Sequence, residues 1–225
     1  MAMLGQAALA MWWDMAPERL AEFGHWHSHE HFPERLALPG FRRASRWLAA
    51  DGGEGVFTCY EIAEPADLGS PAYQARLNAP TPWSTAMMPH HRHMQRAQCE
   101  VLASVGAFVA GHLLTLRLAA LDDTGIALWR AWARTHAGAP GLAGVHLLRH
   151  APPAIPTTTE QRIRGGDGAP ACVALVSAYD ADALSTAASM LATLPGHHGE
   201  PAARFRLAMS ALAGELADIE PPAHH

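Results

Sequence analysis

PGFRRASRWLA at residues 39–49 and PGLAGVHLLRH at residues 140–150 open the same way, a Pro-Gly turn followed by a strand-like run. Two further pairs follow in the same order. VFTCYEIAEPADL (56–68) faces CVALVSAYDADAL (172–184), and CEVLASVG (99–106) faces RLAMSALAG (206–214). Ala and Leu are common throughout, so each match alone is weak. Three in order, within one strand–helix pattern, point to a duplication.

Outward from these pairs, the first half alternates strand and helix signals. An apolar strand over 7–13 precedes a helix opened by Pro17 and running to about residue 32. Strands over 41–48 and 56–62 flank the Asp51-Gly52-Gly53 turn. A second helical region, broken by Pro80, Pro82 and Pro89, spans 65–91, and a strand over 95–104 closes the unit. The second half repeats this as strands over 108–118, 144–148, 171–178 and 204–212, with helices over 122–135 and 181–194. The fold class expected is therefore α+β, two ferredoxin-like βαββαβ units in tandem, residues 1–106 and 107–220. Each four-stranded sheet has helices on one face only, so the two sheets are expected to cover each other within one chain. Residues 151–170, rich in Pro, Thr and Gly, read as a long loop inside the second unit.

Composition narrows the chemistry. The chain has 225 residues, 16 basic side chains and a formal net charge of −5. Every one of those basic residues is arginine. Without lysine there is no side-chain amine for a Schiff base, no phosphate-loop lysine and no anchor for pyridoxal phosphate. The arginines are dispersed and form no basic stripe, which argues against nucleic acid. Cys59, Cys99 and Cys172 lie far apart among apolar neighbours and read as buried thiols of a reducing compartment. The apolar start lacks the basic residues of a secretory signal. Residues 105–121 are interrupted by His112 and Arg117 and fall short of a membrane span. A cytoplasmic protein with no membrane or nucleic-acid partner is expected, acting on a small molecule, and a homodimer is compatible with this reading.

Seven of the 15 histidines fall in two windows, residues 24–31 and 90–93. On a helical wheel over 16–34, Leu20, Phe23, His27, Glu30, His31 and Glu34 share a face. His25 and His29 fall on the opposite side. Pro33 cannot donate to the carbonyl of His29, so the helix should kink or end there and turn Glu34 and Arg35 into a cavity. The His27/Glu30/His31 group fits a polar pocket of structural histidines. It fits equally an acid/base site in which a carboxylate orients an imidazole. A metal site is a third possibility, with Glu34 or a second-window histidine as a further ligand, although the HExxH zinc motif is absent. In the second window, strand alternation places His91 and His93 on one side and Arg92 on the other. Arg92 is a candidate anchor for a carboxylate or enolate oxygen. Tyr60, Tyr73 and Trp83 are candidate cavity walls, although the two tyrosines have core-like flanks. Trp129, Trp132 and His136 follow ordinary core spacing. The second half has no counterpart of the HSHEH cluster and reads as the structural half.

Trp26-His27-Ser28-His29-Glu30-His31-Phe32-Pro33-Glu34-Arg35, followed by Leu38-Pro39-Gly40-Phe41, resembles the W-[HY]-x-x-EH-x-PER-x-x-x-PGF signature of EthD-like proteins. These belong to the dimeric α/β-barrel superfamily. The run from Ser70 to Met94 is similar to their second-helix segment, so the resemblance covers about residues 5–106. It implies two facing sheets and a ligand cavity between a sheet and its helices. Relatives include cofactor-independent cyclases, quinone-forming monooxygenases, muconolactone-type isomerases and haem-dependent enzymes. Carried over by position, His31, Glu30, Glu34 and Arg35 are the motif core, and Trp26 opens it. His27 occupies a position that also accepts tyrosine, which weakens the metal reading. The resulting expectation is cofactor-free acid/base chemistry on a largely apolar carbonyl or aromatic compound. His31 would be the acid/base, Glu30 its orienter, and His27 and Arg35 polarisers of the substrate oxygen. Haem or a divalent metal is the alternative cofactor, and a non-catalytic binding barrel the alternative class.

Overall fold

The computed structural model describes residues 3–165, 168–197 and 202–217. The end of the second expected unit, residues 218–220, and residues 166–167 of the expected long loop lie outside them. Eight strands close into one antiparallel barrel. They are β1 (Ala7–Asp14), β2 (Phe41–Ala49), β3 (Gly55–Ile62), β4 (Arg92–Gly106), β5 (His112–Leu118), β6 (Leu142–His150), β7 (Cys172–Ala178) and β8 (Ala203–Leu212). Around the barrel their order is β1-β3-β2-β8-β5-β7-β6-β4. The first four strands thus lie in the order β4-β1-β3-β2 and the last four in the order β8-β5-β7-β6. Pairing of β2 with β8 and of β4 with β6 joins the halves.

Strand β1 pairs on both sides, with β3 and β4, and its side chains are buried on both faces, which is why it reads as the near-continuous apolar run AALAMWW. Ala8, Ala10 and Trp12 point into the barrel, where they pack with Trp47, Phe57 and Phe205. Leu9, Met11 and Trp13 point outward into a second core under the first-half helices. A third core lies between the second-half strands and their helices.

The two Pro-Gly turns have the same geometry. Gly40 and Gly141 take φ of 86° and 87°, a left-handed conformation that costs a side chain about 1 kcal/mol or more. A Cβ on Gly40 would lie 2.2 Å from the Asp67 carboxylate. Each glycine carbonyl accepts a bond from the residue after a neighbouring strand, Ala63 at 2.8 Å and Tyr179 at 3.0 Å.

The helices depart from expectation in two places. Pro33 does not end the first one. A 3-10 turn at Pro17–Arg19 leads into α1 (Leu20–Trp26), then a π turn at His27–His31, then α2 (Phe32–Leu36). The wider π turn, closed by the Phe32 N–H on the His27 carbonyl, accommodates the proline without a break. The second helical region resolves into α3 (Pro71–Asn78) and α4 (Pro82–Met87), between 3-10 turns at Pro65–Gly69 and Met88–His90. Helices α5 (Asp123–His136) and α7 (Ala181–Leu191) cover the second half. The expected loop at 151–170 is not structureless. It contains α6 (Thr159–Arg164), capped by the Thr158 hydroxyl on the Gln161 N–H at 3.3 Å. This helix packs on α3 and on the Met88–His90 turn, both of the first half. No helix among the described residues is long and apolar enough to cross a membrane.

Candidate active site

The π turn decides which side chains meet. Its radius brings rings five residues apart into contact: Trp26 and His31 lie 4.6 Å apart by ring centroid, His27 and Phe32 4.4 Å. His27 and His31 stack at 5.3 Å with their planes 25° apart. From the other side β1 contributes Met11 and Trp13, and the segment before and into β4 contributes Met88, His91 and Met94. Together with Trp26, His27, His31 and Arg164 of α6 they enclose a cavity of about 30 Å³, room for little more than one water molecule. His91 packs on Trp13 at 4.9 Å. Its Nδ1 donates to the Met88 carbonyl at 3.0 Å, so Nε2 is the unprotonated nitrogen of the neutral ring.

All three imidazoles are held neutral, chiefly by burial. The pKa of His27 falls well below the ordinary value, with the Arg46 charge adding to desolvation. That of His31 falls likewise, with Arg35 as the next cause. His91 is lowered to about 4. The Nδ1 atoms of His27 and His31 and the indole N–H of Trp13 are buried and meet no hydrogen-bond partner. Unpartnered polar atoms are uncommon in a protein interior, and here three belong to residues that line one cavity.

Of the residues expected from sequence, Trp26, His27, His31 and His91 therefore line one cavity. The others are placed elsewhere. Glu30 does not orient His31, whose Nδ1 has no partner. Its carboxylate accepts from the Trp26 indole at 3.1 Å, the Thr81 hydroxyl at 2.5 Å and the Ser84 hydroxyl at 3.3 Å. It thereby ties the π turn to the start of α4. Arg35 is fully buried, but it pairs with Glu160 of α6 and lies over the Tyr73 ring. Glu34 is half-buried and 3.7 Å from Arg76; burial raises its pKa. Tyr60 is buried against Phe32 and Phe41, with an unpartnered hydroxyl and a pKa pushed up by burial. The Tyr73 hydroxyl accepts from Arg96 at 3.0 Å. Trp83 stacks edge-on against the solvent-facing His25 and is not a cavity wall.

Strand alternation fails at residues 91–93. His93 takes a left-handed φ of 54° beside a register shift between β1 and β4. His91 consequently turns inward, while His93 is exposed and bonds Asp14 at 2.8 Å. Arg92 is exposed and paired with Glu54, outside the cavity.

The cavity residues not anticipated are Met11, Trp13, Met88, Met94 and Arg164. Met11 and Trp13 were legible as the outward face of β1, two residues apart. Arg164 had no local signal, because α6 lies about 70 residues from Met94 and more than 120 from the π turn in sequence. Among the described residues no group of three or more His, Cys, Asp or Glu side chains is placed to hold a metal ion.

No protein-family model and no curated protein matches the chain. Solved structures do. An anthrone oxidase-like protein aligns over 94% of this chain and 94% of its own, with a TM-score of 0.60 at 11% identity. A proposed monooxygenase of Fusobacterium nucleatum aligns over 94% and 97%, with a TM-score of 0.58 at 9% identity. A second, from Lactobacillus acidophilus, covers 93% and 97%, with a TM-score of 0.55 at 7% identity. These neighbours belong to the dimeric α/β-barrel superfamily, and the likeness establishes that fold for this chain.

Proposed function

We propose that this chain is a small-molecule enzyme that moves a proton on a largely apolar carbonyl or aromatic compound, with His31 as the base. The observation that carries the reading is the row of buried, neutral imidazoles, two with unpartnered nitrogens, walled by aromatic and methionine side chains. In the step envisaged, a C–H bond next to a carbonyl breaks and the proton passes to His31. The electron pair moves onto the carbonyl oxygen as an enolate. Such a step is common to isomerases and cyclases, and it also generates the electron-rich carbon that oxygen-using enzymes need. The oxidase and monooxygenase descriptions of the structural neighbours suit it. The cavity is small as it stands, and its Met11, Met88 and Met94 walls are side chains that repack readily around an aromatic body.

The reading includes an EthD-like first unit, 1–106, and a second ferredoxin-like unit, 107–220. Shared strand order and the matching left-handed glycines Gly40 and Gly141 support it. The second unit is then more than a structural half, since α6 roofs the site.

Anthrone, the compound in one neighbour's description, is a suitable probe. The wild-type chain should accelerate deuterium exchange at its acidic methylene, followed by NMR. His31→Ala should lower the rate by about 10²–10⁴, the usual contribution of general acid/base catalysis. A His31→Ala protein as active as wild type, or a wild-type chain no faster than buffer, would overturn the proposal.

A further inference from the structure

Trp12, Trp13, Trp26, Trp47 and Trp129 are buried. Three of them donate their indole N–H: Trp12 to the Thr115 hydroxyl at 3.0 Å, Trp26 to the Glu30 carboxylate at 3.1 Å and Trp129 to the Pro195 carbonyl at 3.0 Å. The N–H groups of Trp13 and Trp47 meet no partner. These two stand in different surroundings. Trp47 lies inside the barrel against Phe57 and Phe108. Trp13, only 3% exposed, lines the cavity beside the π turn. It also lines a larger recess of about 730 Å³ at the end of the barrel, shared with Trp12, Asp14, Gly55 and Phe205. A buried donor without an acceptor is costly. Beside a cavity, that cost is offset when a ligand brings the acceptor.

We propose that Trp13 is a catalytic residue of this site, its indole N–H donating to the carbonyl oxygen of an aromatic ketone and to the enolate oxygen that forms from it. This deepens the function proposed above and rests on it. It gives Trp13 the role that the sequence suggested for Arg35, which is engaged by Glu160, and for Arg92, which lies outside the cavity.

The donor set suits a neutral carbonyl. An indole N–H only donates, and its charge does not change with pH. Trp13 lies against His91 and His27, with ring centroids 4.9 and 6.1 Å apart. The cavity thus sets a donor of fixed state beside imidazoles that can take up a proton. Burial makes those imidazoles weak bases, so loss of a C–H proton needs a partner for the electron pair. The proton passes to His31, the C–H pair becomes the C=C bond of the enolate, and the carbonyl pair moves onto the oxygen. A fixed donor at that oxygen, shielded from water, stabilises the charge as it develops.

The test is calorimetric titration of the intact protein with 1-indanone and with indane, which share a bicyclic body and differ in the carbonyl. Indanone should bind about threefold to tenfold more tightly, the value of one neutral hydrogen bond. The infrared carbonyl stretch of bound indanone should fall to lower frequency. Trp13→Phe should abolish the preference and the infrared shift, leave indane binding unchanged, and slow anthrone exchange by about 10²–10³. Trp47→Phe, which deletes an equally buried and unpartnered N–H away from the site, should alter none of these. Equal binding of the two probes, binding of neither, or a preference that survives Trp13→Phe would overturn the proposal. So would a Trp13→Phe protein that exchanges anthrone at the wild-type rate while His31→Ala is inactive. A carbonyl preference that depends on Trp13, together with a fully active His31→Ala protein, would strike the base assignment alone.

Discussion

Over the first half of the barrel the covering helix buries three aromatic rings, two histidines, a glutamate and an arginine in four turns. Over the second half, α5 buries Ile126, Trp129 and Ala133, and α7 buries Leu184, Ala187 and Leu191. The one polar atom on Trp129 is satisfied by the Pro195 carbonyl at 3.0 Å. No unpartnered buried side-chain atom belongs to α5 or α7, whereas His27, His31 and Arg35 each carry one on the first-half helix. Both layers sit on sheets of the same strand order, so the sheet does not cause the difference. Regular helices with an apolar stripe make a core and nothing else. The π turn and its buried polar atoms break local rules at one place, which is where a site is to be sought.

The contrast is most easily broken at Glu160. Glu160→Ala leaves Arg35 buried without its counter-charge, and the expected loss of stability is about 3–5 kcal/mol in urea unfolding. Replacing Arg35 and Glu160 together by methionine should restore most of it. A loss below about 1 kcal/mol would mean that α6 is not anchored on the first half.

Acid should separate the two layers next. His91 is held at about 4 when folded, against about 6.5 in the unfolded chain. Above pH 6.5 both states are neutral and its contribution to stability is complete. Between the two values the unfolded chain takes up the proton and the folded one does not. Stability is therefore lost as pH falls, by roughly 3 kcal/mol for this residue. His27 and His31 are shifted in the same direction and add to the loss. Urea midpoints measured from about pH 7 down to about pH 4 should fall, and His91→Phe should flatten the lower part of the curve. Hydrogen exchange should show protection failing over residues 20–36 before α5. Equal loss in both layers would deny the first its special status.

Much of this organisation was legible beforehand. The Pro-Gly pairs and the alternation of strand and helix signals placed all eight strands, and the first histidine window marked the helix that carries the π turn. The errors share a physical origin. The wheel assumed 3.6 residues per turn and put Glu34 inward, but the π turn carries the inward face from His31 to Arg35. Alternation assumed an unbroken β4, and the left-handed His93 separated it from His91. Glu30 looked like a histidine's partner because it adjoins His31, but its acceptor sites face Trp26, Thr81 and Ser84. Residues 151–170 read as loop because Pro and Thr dominate. The short helix within them owes its place to Glu160 and to Thr159, whose N–H bonds Asn78 of α3 at 3.0 Å, contacts that no local pattern encodes.

The smallest effect is the one that sharpens the comparison from the other side. Asp122 caps α5, its carboxylate accepting from the Gly125 N–H at 2.7 Å. Asp122→Ala removes that bond and the negative charge at the positive end of the helix, and should cost about 1 kcal/mol. If the second layer is scaffold, that loss appears in the unfolding midpoint alone. The anthrone exchange rate stays at its wild-type value, because nothing on α5 lines the cavity. A cap variant that slowed exchange while folded would show that α5 bears on the site through β4 and β6. The division of labour between the two helix layers would then have to be given up.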